Sequence, residues 1–435
     1  MDKYSFCSGC GVCAAVCPIN NIEIIKINGS LKASKIGNCL KGCNLCEKTC
    51  SLNDSSFLED YGFKEKIMGK ALKCYAGHLI DDNSRISSAS GGLTTGFIEY
   101  LMDEKIIDAV ICVKKNSGEN KYSFFIADTV EKVRESKGSS YYTVSANEVL
   151  KRIEGDDKKY ALIGVPCLIG SIKKAKTLNN NFFKNILYLF SLSCGQMMNH
   201  NYPNYLMYKD NYKNEVDWEI CFRCKNPKET ANIFYTRIIK NNKILVNKSC
   251  SDQYPIWKYY MFTQESCLFC EDFFGITADI TLMDAWLPQY YSDWKGNNIV
   301  IIRNKDLLNQ FEKFAKSKAY IKEIDESDVI KSQSSRVNDK KNVLSGRLYL
   351  AKKNGINIIR NTKASEKSLT DNAVYIYESF KCNVNSNIYI DNILKQKKLY
   401  VSKILLKFYE WKIINLDKNY IIRKLYESYY GRKTS

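Results

Sequence analysis

Histidine is almost missing from this chain: its 435 residues include two, His78 and His200. Chemistry that needs clustered imidazoles, as metal ligands or general bases, has little to draw on, and both are read as structural. Long hydrophobic runs are missing too. The longest apolar pieces, such as ALIGVPCLIG at 161–170, fall short of the roughly 18 residues that cross a bilayer. The start lacks the basic opening and apolar core of a secretory signal, and no recognised nucleic-acid-binding motif accompanies the charge. The expectation is a cytoplasmic protein with no nucleic acid as partner.

What the chain has in excess is cysteine, 18 in all and eight within the first fifty residues. These run Cys7-x2-Cys10-x2-Cys13-x3-Cys17-Pro18 and then Cys39-x3-Cys43-x2-Cys46-x3-Cys50. Such spacing holds a pair of 4Fe-4S clusters, the fourth cysteine of each run reaching across to the other cluster. That rule pairs Cys7, Cys10, Cys13 and Cys50 on one cluster, and Cys39, Cys43, Cys46 and Cys17 on the other. Structural zinc also uses C-x2-C pairs, but four ligands in two separated pairs leave a third cysteine at the same spacing unexplained. A disulfide framework needs an oxidising compartment. Taken alone, Cys39-x3-Cys43-x2-Cys46 is also the radical-SAM spacing; Cys50 at ferredoxin distance and the complete run upstream favour a closed electron-transfer site. Ser51 stands where the first run has its proline.

The chain is too long for a ferredoxin alone and suits two or three domains, with 45% hydrophobic residues for a sizeable core. Its formal charge of +18 falls by roughly 2 for each oxidised cluster held by four thiolates. The remaining basic excess suits anionic cofactors, an acidic partner or a membrane surface.

Residues 1–55 read as the ferredoxin unit, with IEIIKI at 22–27 as a strand between the cysteine runs. Residues 70–330 alternate strands with helices. The strands are KCYAGHLI at 73–80, DAVICV at 108–113, YALIGV at 160–165 and ILYLFSLSC at 186–194, with helices at 92–103, at 145–153 and from near Cys167. The fold class is α/β with a mixed or mostly parallel sheet. A more β-rich tract at 217–330 adds DWEICFRC, IFYTRIIK and ADITLMD. Residues 335–435 form a basic, mainly helical tail, in which Val401, Ile404, Leu405, Phe408 and Trp411 recur at helical spacing. That stripe suits docking on the core or another subunit, or contact with an anionic membrane.

Two loops carry small-residue chemistry. In SASGGLTTGFIEYL, a glycine pair leads into a helix, so Ser90, Gly91, Gly92, Thr94 and Thr95 can cradle a pyrophosphate; a helix cap with a tight turn is the simpler alternative. KGSSYY at 137–142 repeats the pattern with Gly138, Ser139 and Ser140, and adds Tyr141 as a stacking ring. Four further cysteines stand at strand ends, Cys167, Cys194, Cys267 and Cys270, the number a third cluster needs. Cys221 and Cys224 in CFRCKNP form a rival pair.

In their shared order, these stretches resemble the beta subunits of coenzyme F420 hydrogenase/dehydrogenase over most of residues 1–300. The resemblance implies FAD on the α/β domain, a third 4Fe-4S cluster beside it held by Cys167, Cys194, Cys267 and Cys270, and the ferredoxin unit as outlet. It also implies Ser90, Gly91, Gly92, Thr94 and the KGSSYY loop at FAD, with Arg223 and Lys225 near its phosphates or the substrate. Met283-Asp284-Ala285-Trp286 departs from the family's Gly-Asp-x-Trp, and Cys224 interrupts FRxK. The function implied is an oxidoreductase passing electrons between a two-electron carrier and one-electron clusters, with a ferredoxin or other redox protein as partner and a small-molecule donor or acceptor. A non-catalytic electron-transfer subunit is the alternative.

Overall fold

In the computed structural model the described residues are 6–370, apart from 213, 259 and 357, and scattered positions between 373 and 411. Of the amphipathic stripe, Val401 lies outside them and Ile404, Leu405, Phe408 and Trp411 within, and the tail beyond 411 lies wholly outside.

Thirteen strands are described: β1 Ile22–Ile27, β2 Ser30–Lys35, β3 Lys73–Leu79, β4 Ala109–Lys115, β5 Tyr122–Ala127, β6 Tyr160–Gly164, β7 Ile186–Leu192, β8 Glu219–Cys224, β9 Tyr235–Lys240, β10 Lys243–Ser249, β11 Ile280–Asp284, β12 Asn298–Ile302 and β13 Ala319–Glu323. Eight of them form one mixed sheet in the order β13-β3-β12-β11-β7-β6-β4-β5. Its centre, β4, β6, β7 and β11, is parallel. Both faces of that centre are covered, which is why β6 reads as an unbroken apolar run rather than an alternation.

On one face the helix Leu93–Asp103 buries Leu93, Phe97, Ile98 and Leu101, a helical stripe. It packs with the helix Lys305–Lys318, Phe97 meeting Phe311 edge-on with ring centres 5.2 Å apart. On the other face lie the helices Asn147–Arg152 and Pro166–Leu178, whose Val149, Leu150, Leu168, Ile169 and Ile172 share a core with Val12 and Val16 of the N-terminal unit. That unit is a two-stranded antiparallel ribbon, β1 and β2, flanked by one-turn helices at Val12–Ala15 and Leu45–Lys48.

The β-rich tract divides. Strands β8, β9 and β10 make their own antiparallel sheet, whereas β11 to β13 join the main one. Past β13, helical turns run from Glu326 to Lys353, opening to a π turn over Asp339–Val343. The chain then returns to the N-terminal unit: Ile359 bridges Asp54, and the Asn361 amide donates to the Ser55 carbonyl at 2.6 Å. Among the described residues no helix is long and apolar enough to cross a membrane.

Candidate functional site

The N-terminal cysteines surround a small apolar centre of Ala14, Ile22 and Ala33, against which Cys7, Cys13, Cys17 and Cys46 pack. Burial, the largest cause, pushes the Cys10 thiol up to about 12, with Cys50 and Cys7 adding to it. Cys13 is raised by burial and then by Cys10, Cys7, Cys50 and Cys46, so these four stand within electrostatic reach of one another and of one cysteine of the other set. Asn21 links two cysteines of the other set: its backbone N–H donates to Cys17 Sγ at 3.2 Å and its side-chain amide to Cys39 Sγ at 3.5 Å. Gly9 and Ala33 donate N–H groups to Cys7 Sγ at 3.3 and 3.4 Å. Such donors stabilise negative charge on sulfur and raise the potential of any cluster it holds. Cys39 and Cys43 are exposed. Among the described residues no three His, Cys, Asp or Glu side chains converge tightly enough to hold a single metal ion.

Ser51 gives the missing proline a physical reason. Its N–H donates to Ser171 Oγ at 3.1 Å and its hydroxyl to the Cys167 carbonyl at 2.8 Å. Proline has neither donor. The end of the second cysteine run is thereby tied to the helix Pro166–Leu178.

A cavity of about 300 Å³ opens beside that helix, large enough for part of a cofactor. Ser90, Gly92, Thr94 and Thr95 line one side, and Gly138, Ser139, Ser140 and Tyr141 another. Gly92 at φ 84 turns the chain into the helix Leu93–Asp103, whose first turn has no acidic residue and of whose first N–H groups Asn298 Oδ1 takes that of Leu93 at 3.1 Å. That helix start suits an anion. Gly138, at φ 111, has nothing within 4 Å of where a side chain would begin, so a ligand can approach its backbone closely.

Cys167, Cys194, Cys267 and Cys270 line the same cavity, as does Cys10 of the N-terminal unit. Burial raises the Cys167 thiol well above its ordinary value, and the charges of Cys10, Cys270, Cys194 and Cys267 add to that. Burial and the neighbouring cysteines hold Cys194 up likewise. The four are half-buried, Cys267 is raised by burial as well, and thiols gathered in this way form a donor set suited to a cluster whose iron stabilises the thiolates. Lys340, 2% exposed, lines the same cavity. Burial works against its charge, but Cys270, Cys267, Cys194 and Asp339 outweigh that and hold the ammonium protonated. The π turn over Asp339–Val343 carries it inward, the sort of local widening common at functional sites. Neither spacing nor composition signals this lysine, which in sequence belongs to a polar helical tail.

Gly91, Arg223 and Lys225 lie behind the wall rather than on it. A side chain at Gly91 would meet the Gly77 carbonyl at 2.8 Å. Arg223 makes a two-pronged ion pair with Asp284 at 2.8 and 3.0 Å, and its Nη1 donates to the Tyr141 hydroxyl at 3.2 Å. Its guanidinium also lies 4.2 Å from the Phe234 ring centre and 5.3 Å from that of Trp286. Asp284 and Trp286 of the family's motif thus share one partner. Lys225 Nζ donates to the carbonyls of Arg85, Ser90 and Lys295, fastening the glycine-rich turn from behind. Burial, followed by the charges of Arg223 and Arg85, pulls its pKa down to about 7. His200 is buried and stacked on Tyr142 at 4.1 Å, and His78 Nδ1 sits 2.8 Å from the Leu79 carbonyl.

Residues 74–151 match the family described as the N-terminal part of the coenzyme F420 hydrogenase/dehydrogenase beta subunit, and residues 157–328 match the family described as its C-terminal part. The chain is 22% identical to a subunit of the F(420)H(2) dehydrogenase of Methanosarcina mazei, over 70% of this chain and 80% of that protein. It is 32% identical to the beta subunit of the F420-dependent formate dehydrogenase of Methanocaldococcus jannaschii, over 26% of this chain and 30% of that one. Among solved structures, a chain of the F420-reducing [NiFe] hydrogenase complex from Methanosarcina barkeri superposes with a TM-score of 0.51 at 18% identity, covering 68% of this chain and 98% of that chain.

Proposed function

The chain belongs to the family of coenzyme F420 hydrogenase/dehydrogenase beta subunits, which are electron-transfer oxidoreductases, and on that premise we propose that it is an iron–sulfur flavoprotein passing electrons between a two-electron carrier and one-electron 4Fe-4S clusters. The observation that carries the reading is a single cavity whose wall includes both small-residue loops, four half-buried cysteines and Cys10. FAD bound there would supply the conversion between two-electron and one-electron transfer.

The chain's own residues have separable tasks. Backbone N–H groups of Thr94 and Thr95 and around Gly138 face an anionic pyrophosphate, and Tyr141 offers a ring wall. Cys167, Cys194, Cys267 and Cys270 hold the inner cluster, and the Lys340 ammonium offsets part of its negative charge. Cys7, Cys10, Cys13 and Cys50 hold the neighbouring cluster, and Cys17, Cys39, Cys43 and Cys46 the outermost. Exposed Cys39 and Cys43 put that last site where a ferredoxin or another redox protein can reach it. The relatives named for F420 dependence make F420 the first carrier to try, with NADH, NADPH and reduced ferredoxin beside it.

The test is anaerobic reconstitution of the full chain. About twelve irons and one flavin per chain are expected, four irons for each of three clusters, with bleaching of the flavin by one carrier of that panel. Cys267→Ser should lower the iron count by about four. Iron at full count with no flavin under any condition would replace this reading by that of an electron-transfer subunit that supplies a separate enzyme.

A further inference from the structure

The rival pair Cys221 and Cys224 has no role among the cluster and flavin residues proposed above, and its geometry is unusual for a strand. Residues three apart on a regular strand point to opposite faces. Here β8 pairs with β9 through Cys221 opposite Arg237 and Cys224 opposite Tyr235, so three steps on one strand face two on the other. That is a β-bulge, and the extra residue returns both cysteines to one face. Burial follows it: Phe222 and Arg223 are both buried, whereas Cys221 and Cys224 are both half-buried. The Cys224 thiol donates to the Cys221 carbonyl at 3.7 Å, and each thiol is the first cause of the other's shifted titration. Cys221 lines the cavity, as does Lys115.

We propose that Cys221 and Cys224 are a redox-active dithiol–disulfide pair in the cavity wall, which exchanges two electrons and two protons with a small disulfide. Cys221 is the attacking group. The hydrogen bond from Cys224 is the main cause that brings its pKa down to about 6, outweighing burial, and Lys115 and Arg237 add their charges. The same bond raises Cys224, so the pair gives up one proton readily and holds the other. Cys74 and Cys112 show the contrast: core thiols whose burial pushes them to about 11 and about 12, unreactive as buried thiols are.

The step balances. The Cys221 thiolate attacks one sulfur of R–S–S–R, the S–S bond breaks, and one R–S⁻ leaves with the electron pair and takes a proton. Cys224 then loses its proton and attacks the Cys221 sulfur, closing the Cys221–Cys224 bond and expelling the second R–S⁻. The protein dithiol is oxidised to a disulfide and the small disulfide is reduced to two thiols. Running backwards, the same steps reopen the pair. None of this requires a bound flavin or cluster.

The test uses the reconstituted full chain, equilibrated without oxygen in mixtures of oxidised and reduced glutathione, quenched in acid, alkylated and cleaved after glutamate. The fragment Ile220–Glu229 contains both thiols and no other cysteine. It is expected to pass from doubly alkylated to an unalkylated form two hydrogens lighter, the ratio changing tenfold for about 30 mV, as a two-electron couple requires. In Cys224→Ser, the Cys221 thiol should stop at a mixed disulfide with glutathione. A wild-type fragment that stays doubly alkylated throughout the series, or that accumulates the glutathione adduct, overturns the proposal. Iron and flavin counted in the same samples report separately on the function proposed above.

Discussion

The Ser51 hydroxyl donates to the Cys167 carbonyl across 2.8 Å, joining the end of the N-terminal cysteine runs to the helix that begins at an inner cysteine. Lys174, on the same helix, donates to the carbonyls of Cys50 and Asp54 at 3.1 and 3.0 Å. The two metal-ligand candidates nearest this seam, Cys50 and Cys167, are therefore spaced by hydrogen bonds and not by apolar packing alone.

Replacing Ser51 by proline removes a buried N–H donor and a hydroxyl together. Ser51→Pro should cost about 1–3 kcal/mol and Ser51→Ala about 1 kcal/mol, read as lowered urea midpoints of the reconstituted protein. Equal midpoints for Ser51→Pro and wild type would show that the bridge contributes nothing.

Arg223 is 7% exposed and relies on Asp284 for its countercharge. Asp284→Asn should destabilise the chain by about 3–5 kcal/mol, because it leaves a buried guanidinium uncompensated. Denaturant unfolding of the full chain measures it, and a loss below about 1 kcal/mol would mean the cation is balanced elsewhere.

His200 carries a pH dependence. Burial, the largest cause, lowers its pKa from 6.5 to about 4. Between those values the unfolded chain binds a proton that the folded chain does not. Stability that is complete above pH 6.5 is therefore lost as pH falls toward 4, by up to about 3 kcal/mol. His200→Gln, which keeps an N–H for the Thr143 carbonyl, should flatten that part of the stability curve; an unchanged slope would assign it to other groups.

Lys340→Met should make the inner site harder to reduce, since a fixed positive charge favours the added electron. A tenfold shift in the ratio of oxidised to reduced forms corresponds to about 59 mV for one electron, measurable by following the cluster's spectrum against potential. Lys340→Arg should recover most of it. A potential unmoved by Lys340→Met, with iron content intact, would reduce the lysine to a packing role.

Much of this was legible in the sequence where the signal is local. The cysteine runs needed only spacing, and β1, β3, β4, β6 and β7 lie close to their predicted apolar stretches. The small-residue loops were legible too, though their division of labour was not. The family resemblance implies Arg223 and Lys225 near the FAD phosphates or the substrate, yet each is taken up by partners more than fifty residues away in sequence, Asp284 and the carbonyls of Arg85, Ser90 and Lys295. Lys340 was invisible for the opposite reason: a lysine among Asp, Lys and Asn reads as solvated, and only the π turn and tertiary packing turn it inward. Ser51 stood out in the sequence as an irregularity, and its meaning depended on Ser171 and Cys167, distant in the chain.

The return of the chain to its beginning, where Ile359 bridges Asp54 and Asn361 reaches Ser55, also orders events during synthesis. Domains fold as the chain emerges, N-terminal parts first. Cys167, Cys194, Cys267 and Cys270 all leave the ribosome before Lys340 exists, so a nascent chain presents them on an open face until the segment from Glu326 to Asn361 docks. Lys340, highest in number of the residues that line the cavity, is thus the last part of its wall to be synthesised.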